Sequence, residues 1–294
     1  MSKELSVVQI DVFTANGLEG NALAVVLDGG GLSDQQMQLI AKETNLSETT
    51  FILPRDAETE RTKGVRVRIF TVQEELPFAG HPTLGTAFVL RGTTGAPKVD
   101  LDLNVGQVSV RFEDEAGKKS FGEMTQADPK FITGHNHGDV ARATGLKESD
   151  FDSNLPIETW STGLPFTVAA LRSLETLRNL RFDPARGAEY LASTGGKFFY
   201  FVSRETVDSA ARLHARMIFY NGEDPATGSA AGCAASWMVA HGVAQSDERV
   251  LIEQGLEMKR PSRIFVRASK NDNRVVNVRV GGNAVEVMRG QLVF

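Results

Sequence analysis

One cysteine in 294 residues, Cys233, leaves no partner for an intramolecular disulfide and no thiol set for a cysteine-based zinc site. No run approaches the ~20 apolar residues that span a bilayer, so no membrane helix is expected. The opening MSKELSVVQID lacks the apolar core of a secretion signal, and with the single thiol this predicts a reducing, cytoplasmic setting. Positive charge is not in excess either. Lys and Arg number 32 against 37 Asp and Glu, a net charge of −5, so the concentrated basic surface that nucleic acid requires is not expected. DGGG at 28–31 has no following Lys-Ser/Thr, which excludes a phosphate loop there. What remains, 41% apolar and 23% charged residues, is ordinary for a folded chain whose length suits about two domains.

Alternation marks VVQIDVF (7–13) as a strand and ALAVVL (22–27) as a buried one. LSDQQMQLIAKETN (32–45) predicts a helix. Ser33 and Gln36 have capping-box spacing, Met37, Ile40 and Ala41 form an apolar stripe, and Asn45 is a stop. Strands follow at 49–54 and 65–71, then a short helix at HPTLGTAFVL (81–90) and a hairpin across Gly106. The polar stretch 113–130 predicts a junction between domains 1–125 and 126–280, with a final strand at 281–294 crossing back to the first. Beyond the junction a similar order returns. Strands are predicted at 157–162 and 166–171, a helix near 173–181, strands at 197–203 and 214–220, and a helix over 224–240. Strands near 249–254, 263–268 and 275–280 and a GGN turn lead to the last segment.

Two segments repeat. GHPTLGTA (80–87) and EDPATGSA (223–230) share Pro-x-x-Gly-[Thr/Ser]-Ala, and His81 and Asp224 are 224 − 81 = 143 positions apart. GNALAVV (20–26) and GLPFTVA (163–169) stand at the same offset, 163 − 20 = 143. Two matches at one offset near half the length favour an internal duplication. The 224–240 segment is small and apolar on nearly every side, which predicts a central helix wrapped by sheet. Its first turn leaves backbone N–H groups and partial positive charge, and Gly228 and Ser229 add little bulk where an anionic ligand would meet them. Gly80 and His81 offer the same arrangement before Pro82. Two such ends facing one cleft would clamp a carboxylate, while Asp224 reads equally well as a helix cap.

DVFT, GNALAVVLD, IAKETNLSETTFIL, ELPFAGHPTLGTA, STGLPF, EDPATGSAAG and IEQGLEMKRPSRI, spread from about residue 8 to 268, resemble the PhzF-like (phenazine-biosynthesis-like) family. The resemblance implies the diaminopimelate epimerase fold. That is an α/β (α+β) architecture of two pseudo-symmetric domains, each a curved, mostly antiparallel sheet around a central helix, with the active site between them. It also implies a homodimer. Racemases of this fold use two cysteines as paired acid and base. Here the corresponding positions hold His81 and Asp224, and Cys233 lies about two turns into the helix, which excludes a two-thiol racemase.

The resemblance further implies an isomerase, working without cofactor or metal, in which one glutamate moves a proton between carbons of a small carboxylate-bearing metabolite. The name-giving member acts on trans-2,3-dihydro-3-hydroxyanthranilate. By position in NLSETTF the glutamate is Glu48, and Leu46, Phe51 and Ile52 would supply an apolar wall that raises its pKa toward neutrality. Asp224 would orient a substrate amine or hydroxyl or assist the proton relay. Gly80, His81, Gly228 and Ser229 would hold the polar substrate groups, with Asn21 a further candidate for the same pocket. A binding or regulatory protein that kept the pocket without catalysis is the alternative. Ser229 sits in no nucleophile elbow, so a hydrolase has no support. His135 and His137 read as a polar loop rather than a metal pair, and EQGLEMKRPS has no assigned role.

Overall fold

The computed structural model describes residues 3–114, 116, 119–219, 222–272 and 274–294. Tyr220, at the end of one expected strand, and Glu115, Gly117 and Lys118, in the expected junction, lie outside the described residues. The chain divides into two compact units, Met1–Thr125 with Gly281–Phe294, and Gln126–Val280.

In the first unit β1 (Glu4–Val12) pairs antiparallel with β2 (Asn21–Val26), and α1 (Asp34–Thr44) crosses to β3 (Glu48–Leu53), parallel to β2. The capping box closes in both directions. Gln36 N–H donates to Ser33 Oγ at 3.2 Å, and Ser33 N–H to Gln36 Oε1 at 3.0 Å. Asn45 ends the helix at φ 51°, and Met37, Ile40 and Ala41 are buried. After α2 (Ala57–Lys63), β4 (Val65–Phe70) returns antiparallel to β3, and β5 (Glu75–Leu76) turns back on β4. Next come α3 (Gly80–Thr94), then β6 (Lys98–Leu103) parallel to β4, β7 (Gly106–Glu113) and β8 (Phe121–Thr125). The chain's last strand, Ala284–Val293, pairs with β1. The helix α3 packs on β1, β2 and β6. It comes so close that a Cβ on Gly85 would stand 2.7 Å from Leu23 and 2.8 Å from Val12.

The second unit repeats this connectivity. β9 (Lys130–His135), α4 (His137–Thr144) and β10 (Ile157–Ser161) lead to β11 (Pro165–Leu171), and β9 and β11 flank β10 antiparallel. The helices α5 (Leu174–Arg178) and α6 (Pro184–Thr194) cross to β12 (Phe198–Ser203), parallel to β11. β13 (Ala211–Phe219) returns antiparallel, and β14 (Gly222–Asp224) turns back on it. The buried helix α7 (Gly228–Ala240) then precedes β15 (Val250–Gln254), parallel to β13, and β16 (Ser262–Asn271), antiparallel to β15. β17 (Arg274–Gly282) and β18 (Ala284–Val293) follow. Parallel crossover, antiparallel return, short turned-back strand and buried helix thus occur twice in one order.

Several boundaries differ from the sequence reading. The polar stretch 113–130 contains β8, and the loop expected at His135–His137 is the end of β9 and the start of α4, capped by Asn136. The helices α2 and α6 were not predicted, although Asp183-Pro184 is a strong start signal and Asp183 does cap α6. The helix expected over 224–240 begins four residues later, because Asp224 pairs with Met217 as the last residue of β14.

An ionic clamp ties β13 to β15. Fully buried His214 places Nδ1 2.7 Å from Glu253 Oε1 and Nε2 3.1 Å from Glu257 Oε1. Burial pushes its pKa down, but the hydrogen bonds to Glu257 and Glu253 outweigh that and hold it above the ordinary value. A folded-state pKa above the unfolded ~6.5 contributes stability that is complete below that pH and is lost as pH rises through the folded value. The melting temperature is therefore expected to fall as pH rises above about 6.5, with a slope that His214→Gln lacks. Equal slopes in the two proteins would show that the ring carries no charge in the clamp.

Candidate active site

Asn21 is the first residue of β2 and Glu48 the first of β3. Parallel pairing of Leu23 with Glu48 brings both strand starts to the same end of the sheet. Strand alternation sets Glu48, Thr50 and Ile52 on one face. That face meets α3, since Thr50 Oγ1 lies 2.9 Å from Thr86 Oγ1. Phe51 points the other way, into a core with Met37 and Ile40, and Leu46 packs against the same cluster. Of the apolar wall expected around Glu48, only Ile52 shares its face.

His81, second residue of α3, is 3% exposed, and burial pushes its pKa down to about 3, so the ring is neutral. Its Nδ1 lies 3.2 Å from Asn21 Nδ2, itself buried, and its Nε2 lies 3.5 Å from Glu48 Oε2. With the Asn21 amide nitrogen turned toward it, Nδ1 is the acceptor, which assigns the single ring proton to Nε2. The imidazole therefore presents an N–H, not a charge, toward the glutamate, at a distance long for a hydrogen bond. Asn21 selects that tautomer. The first unit thus brings together Asn21, Glu48, Gly80 and His81.

Among the described residues no side chain caps α3, whose N-cap is Ala79, or α7, whose N-cap is Thr227. By contrast Ser33, Asp56, Asn136, Ser173 and Asp183 cap α1, α2, α4, α5 and α6. The capping role weighed for Asp224 is not the one it plays. Its Oδ2 accepts the Thr227 hydroxyl at 2.6 Å, and the residue is 6% exposed. Gly228 and Ser229 are the first two residues of α7, both buried. The second unit thus gathers Asp224, Gly228 and Ser229.

Two polar side chains that the sequence reading left without a role also meet here. Thr227 lies between Asp224 and the helix, and Gln254, from the unassigned EQGLEMKRPS segment, hydrogen-bonds both. Deeper in α7, Cys233 is fully buried with Sγ 3.2 Å from the Trp160 carbonyl. Burial pushes its thiol up to about 11, which makes it inert. His135 bonds Tyr190 and Thr159, while His137 sets its ring against Phe151, so the two histidines serve separate packing contacts. Among the described residues no group of three or more His, Cys, Asp or Glu is placed to hold a metal, and no helix is long and apolar enough to cross a membrane.

The phenazine biosynthesis-like protein family matches this chain over residues 10–290. A protein of Mesorhizobium japonicum named as an uncharacterized isomerase is 38% identical over 296 residues, covering 96% of each chain. The trans-2,3-dihydro-3-hydroxyanthranilate isomerase of Pseudomonas chlororaphis is 35% identical over 290 residues, covering 97% of this chain and 98% of its own. A solved structure of a predicted epimerase from Pseudomonas aeruginosa has a TM-score of 0.84 at 34% identity, covering 98% of this chain and 99% of the other. The mixed α/β fold, the implied family and the implied activity class all agree with these matches. The chain belongs to the phenazine biosynthesis-like (PhzF) family and is an isomerase.

Proposed function

We propose that the protein moves a proton between two carbons of a small carboxylate-bearing cyclic or unsaturated metabolite, without a cofactor, and that Glu48 is both base and acid. The observation that carries this reading is the Glu48–His81 pair. The carboxylate, 13% exposed, faces a neutral imidazole rather than a cation. A carboxylate so placed is suited to accept a proton from carbon and return it.

The steps balance without redox change. Glu48 takes the proton from one carbon, and the C–H bonding pair enters the adjacent π system and shifts a double bond. The same carboxyl then delivers the proton to a second carbon. Negative charge that develops on the substrate is met by His81 Nε2–H and by the first-turn amides of Gly80 and His81, where the helix dipole is positive. Asp224 accepts a hydrogen bond from a substrate amine or hydroxyl, and the Gly228 and Ser229 amides donate to its carboxylate. Asn21 acts through His81, by fixing the tautomer. The first compound to try is trans-2,3-dihydro-3-hydroxyanthranilate, given the activity named for the Pseudomonas chlororaphis relative.

Glu48→Gln is expected to lower turnover by about 10³-fold or more while the variant still gains thermal stability from the bound compound. In D₂O the wild-type protein is expected to place deuterium on a substrate carbon, read by NMR, and the variant to place none. A Glu48→Gln protein within about threefold of the normal rate would remove Glu48 from the mechanism, and ligand binding without deuterium uptake in the wild-type protein would make it a binder.

The His81 tautomer has its own test. Nitrogen-15 NMR of the free protein is expected to show a neutral ring protonated on Nε2 throughout the pH range of ordinary assays, because its pKa lies near about 3. A doubly protonated ring at about pH 6 would contradict it.

A further inference from the structure

We infer that Gln254 is a positioning residue for the isomerase, whose side-chain amide fixes the Asp224–Thr227 pair and sets where α7 begins. The inference rests on the role proposed for Asp224. Gln254 is completely buried, and its amide fills all four of its hydrogen-bonding positions. Oε1 accepts the Thr227 N–H at 3.2 Å and the Tyr200 hydroxyl at 3.0 Å. Nε2 donates to the Asp224 carbonyl at 2.7 Å and to Thr227 Oγ1 at 2.9 Å.

The two backbone partners settle the amide's orientation. A backbone N–H must donate and a carbonyl must accept, so oxygen faces Thr227 N and nitrogen faces Asp224 O. The remaining protons follow. Thr227 Oγ1 already receives a proton from Nε2, so its own proton goes to Asp224 Oδ2, 2.6 Å away. One buried amide thereby dictates which carboxylate oxygen of Asp224 is engaged and where the carboxylate points. Burial pushes the Tyr200 phenol well above its ordinary pKa, so it stays a donor.

Comparison of the repeated motif shows what the amide does to the backbone. In the first copy Pro82 is the third residue of α3. In the second, Pro225 precedes α7 by three residues. A helix started at the equivalent place, Glu223, would need the Thr227 N–H to reach the Glu223 carbonyl and the Asp224 carbonyl to accept from Gly228. Gln254 takes that N–H and that carbonyl. The Asp224–Thr227 segment is thus held out of the helix, and Asp224 remains at its mouth instead of in its first turn.

The chain around Gln254 is braced. Glu253 and Glu257 grip His214 on either side of it. Gly255, at φ +79°, lets the turn press on Pro225, where a Cβ would stand 2.5 Å from the Pro225 carbonyl oxygen. The amide is therefore delivered by a rigid turn, as a positioning group requires.

The test compares Gln254→Leu, Thr227→Val and Thr227→Ser in the full chain with trans-2,3-dihydro-3-hydroxyanthranilate as the probe. Gln254→Leu and Thr227→Val are each expected to lower kcat by about 100-fold with KM changed by no more than about threefold. Thr227→Ser, which keeps the hydroxyl, is expected to recover most of the rate lost in Thr227→Val. The double variant Gln254→Leu/Thr227→Val is expected to be no slower than the slower single variant, because both break one chain of hydrogen bonds. Variants that melt lower yet keep the normal kcat would overturn the inference and leave Gln254 a structural residue. If Gln254→Leu does not fold, the Thr227 pair decides by the same criterion. If the wild-type protein does not turn over the probe, the proposed substrate fails and crystal structures of the variants decide the positioning. The Asp224 carboxylate is expected to leave its present orientation in Gln254→Leu, and an unmoved Asp224–Thr227 contact would overturn the inference.

Discussion

A helix buried on every side satisfies its backbone from within, except at its first turn, where N–H groups have no carbonyl behind them. This constraint governs both units. Every residue of α7 from Gly228 to Val239 is buried, and so are residues 80–87 of α3. Small side chains let strands approach such helices closely, as Gly85 shows beside Leu23 and Val12. Ala79 has no polar side chain to cap α3, and the Thr227 hydroxyl at the start of α7 is taken by Asp224, so both ends keep unbulky or polar residues beside the partial positive charge. The packing that builds each unit therefore also creates, at one point, a place suited to an anion.

The two copies have diverged at that point in complementary ways. In the first, the helix starts early and places His81 in its first turn, neutral through burial and oriented by Asn21. The carboxylate facing it, Glu48, comes from the neighbouring strand start. In the second, the helix starts late and Asp224 stays on β14, engaged by Thr227. One ancestral plan thus supplies an uncharged donor beside a carboxylate in one unit and an oriented carboxylate in the other.

Much of this was legible in the chain, for identifiable reasons. The capping box at Ser33 and the stop at Asn45 are local signals, and α1 forms between them. The period-two strands near residues 7, 22, 49 and 65 are also local, and the shared Pro-x-x-Gly-[Thr/Ser]-Ala motifs mark both buried helices. The strand β8 was missed because FGEMT buries only Gly122 and Met124, and its glycine reads as a turn. The helix α6 was missed despite the Asp183-Pro184 signal. Phe51 was assigned to the wall of Glu48 because sequence neighbours look like spatial neighbours, whereas strand alternation sends them to opposite faces.

The sequence by itself determined the internal repeat and the residue types at the two helix mouths. These depend on composition and short-range spacing, which a single chain displays. Only the tertiary structure decided which tautomer His81 holds, that Asp224 bonds Thr227 instead of capping a helix, and that Gln254 governs both. The first turns on a partner 60 residues away, and the bonds Gln254 makes to Thr227 and Asp224 span 27 and 30. Hydrogen bonds of that span follow from how strands are paired and helices laid upon them, and no local periodicity records them.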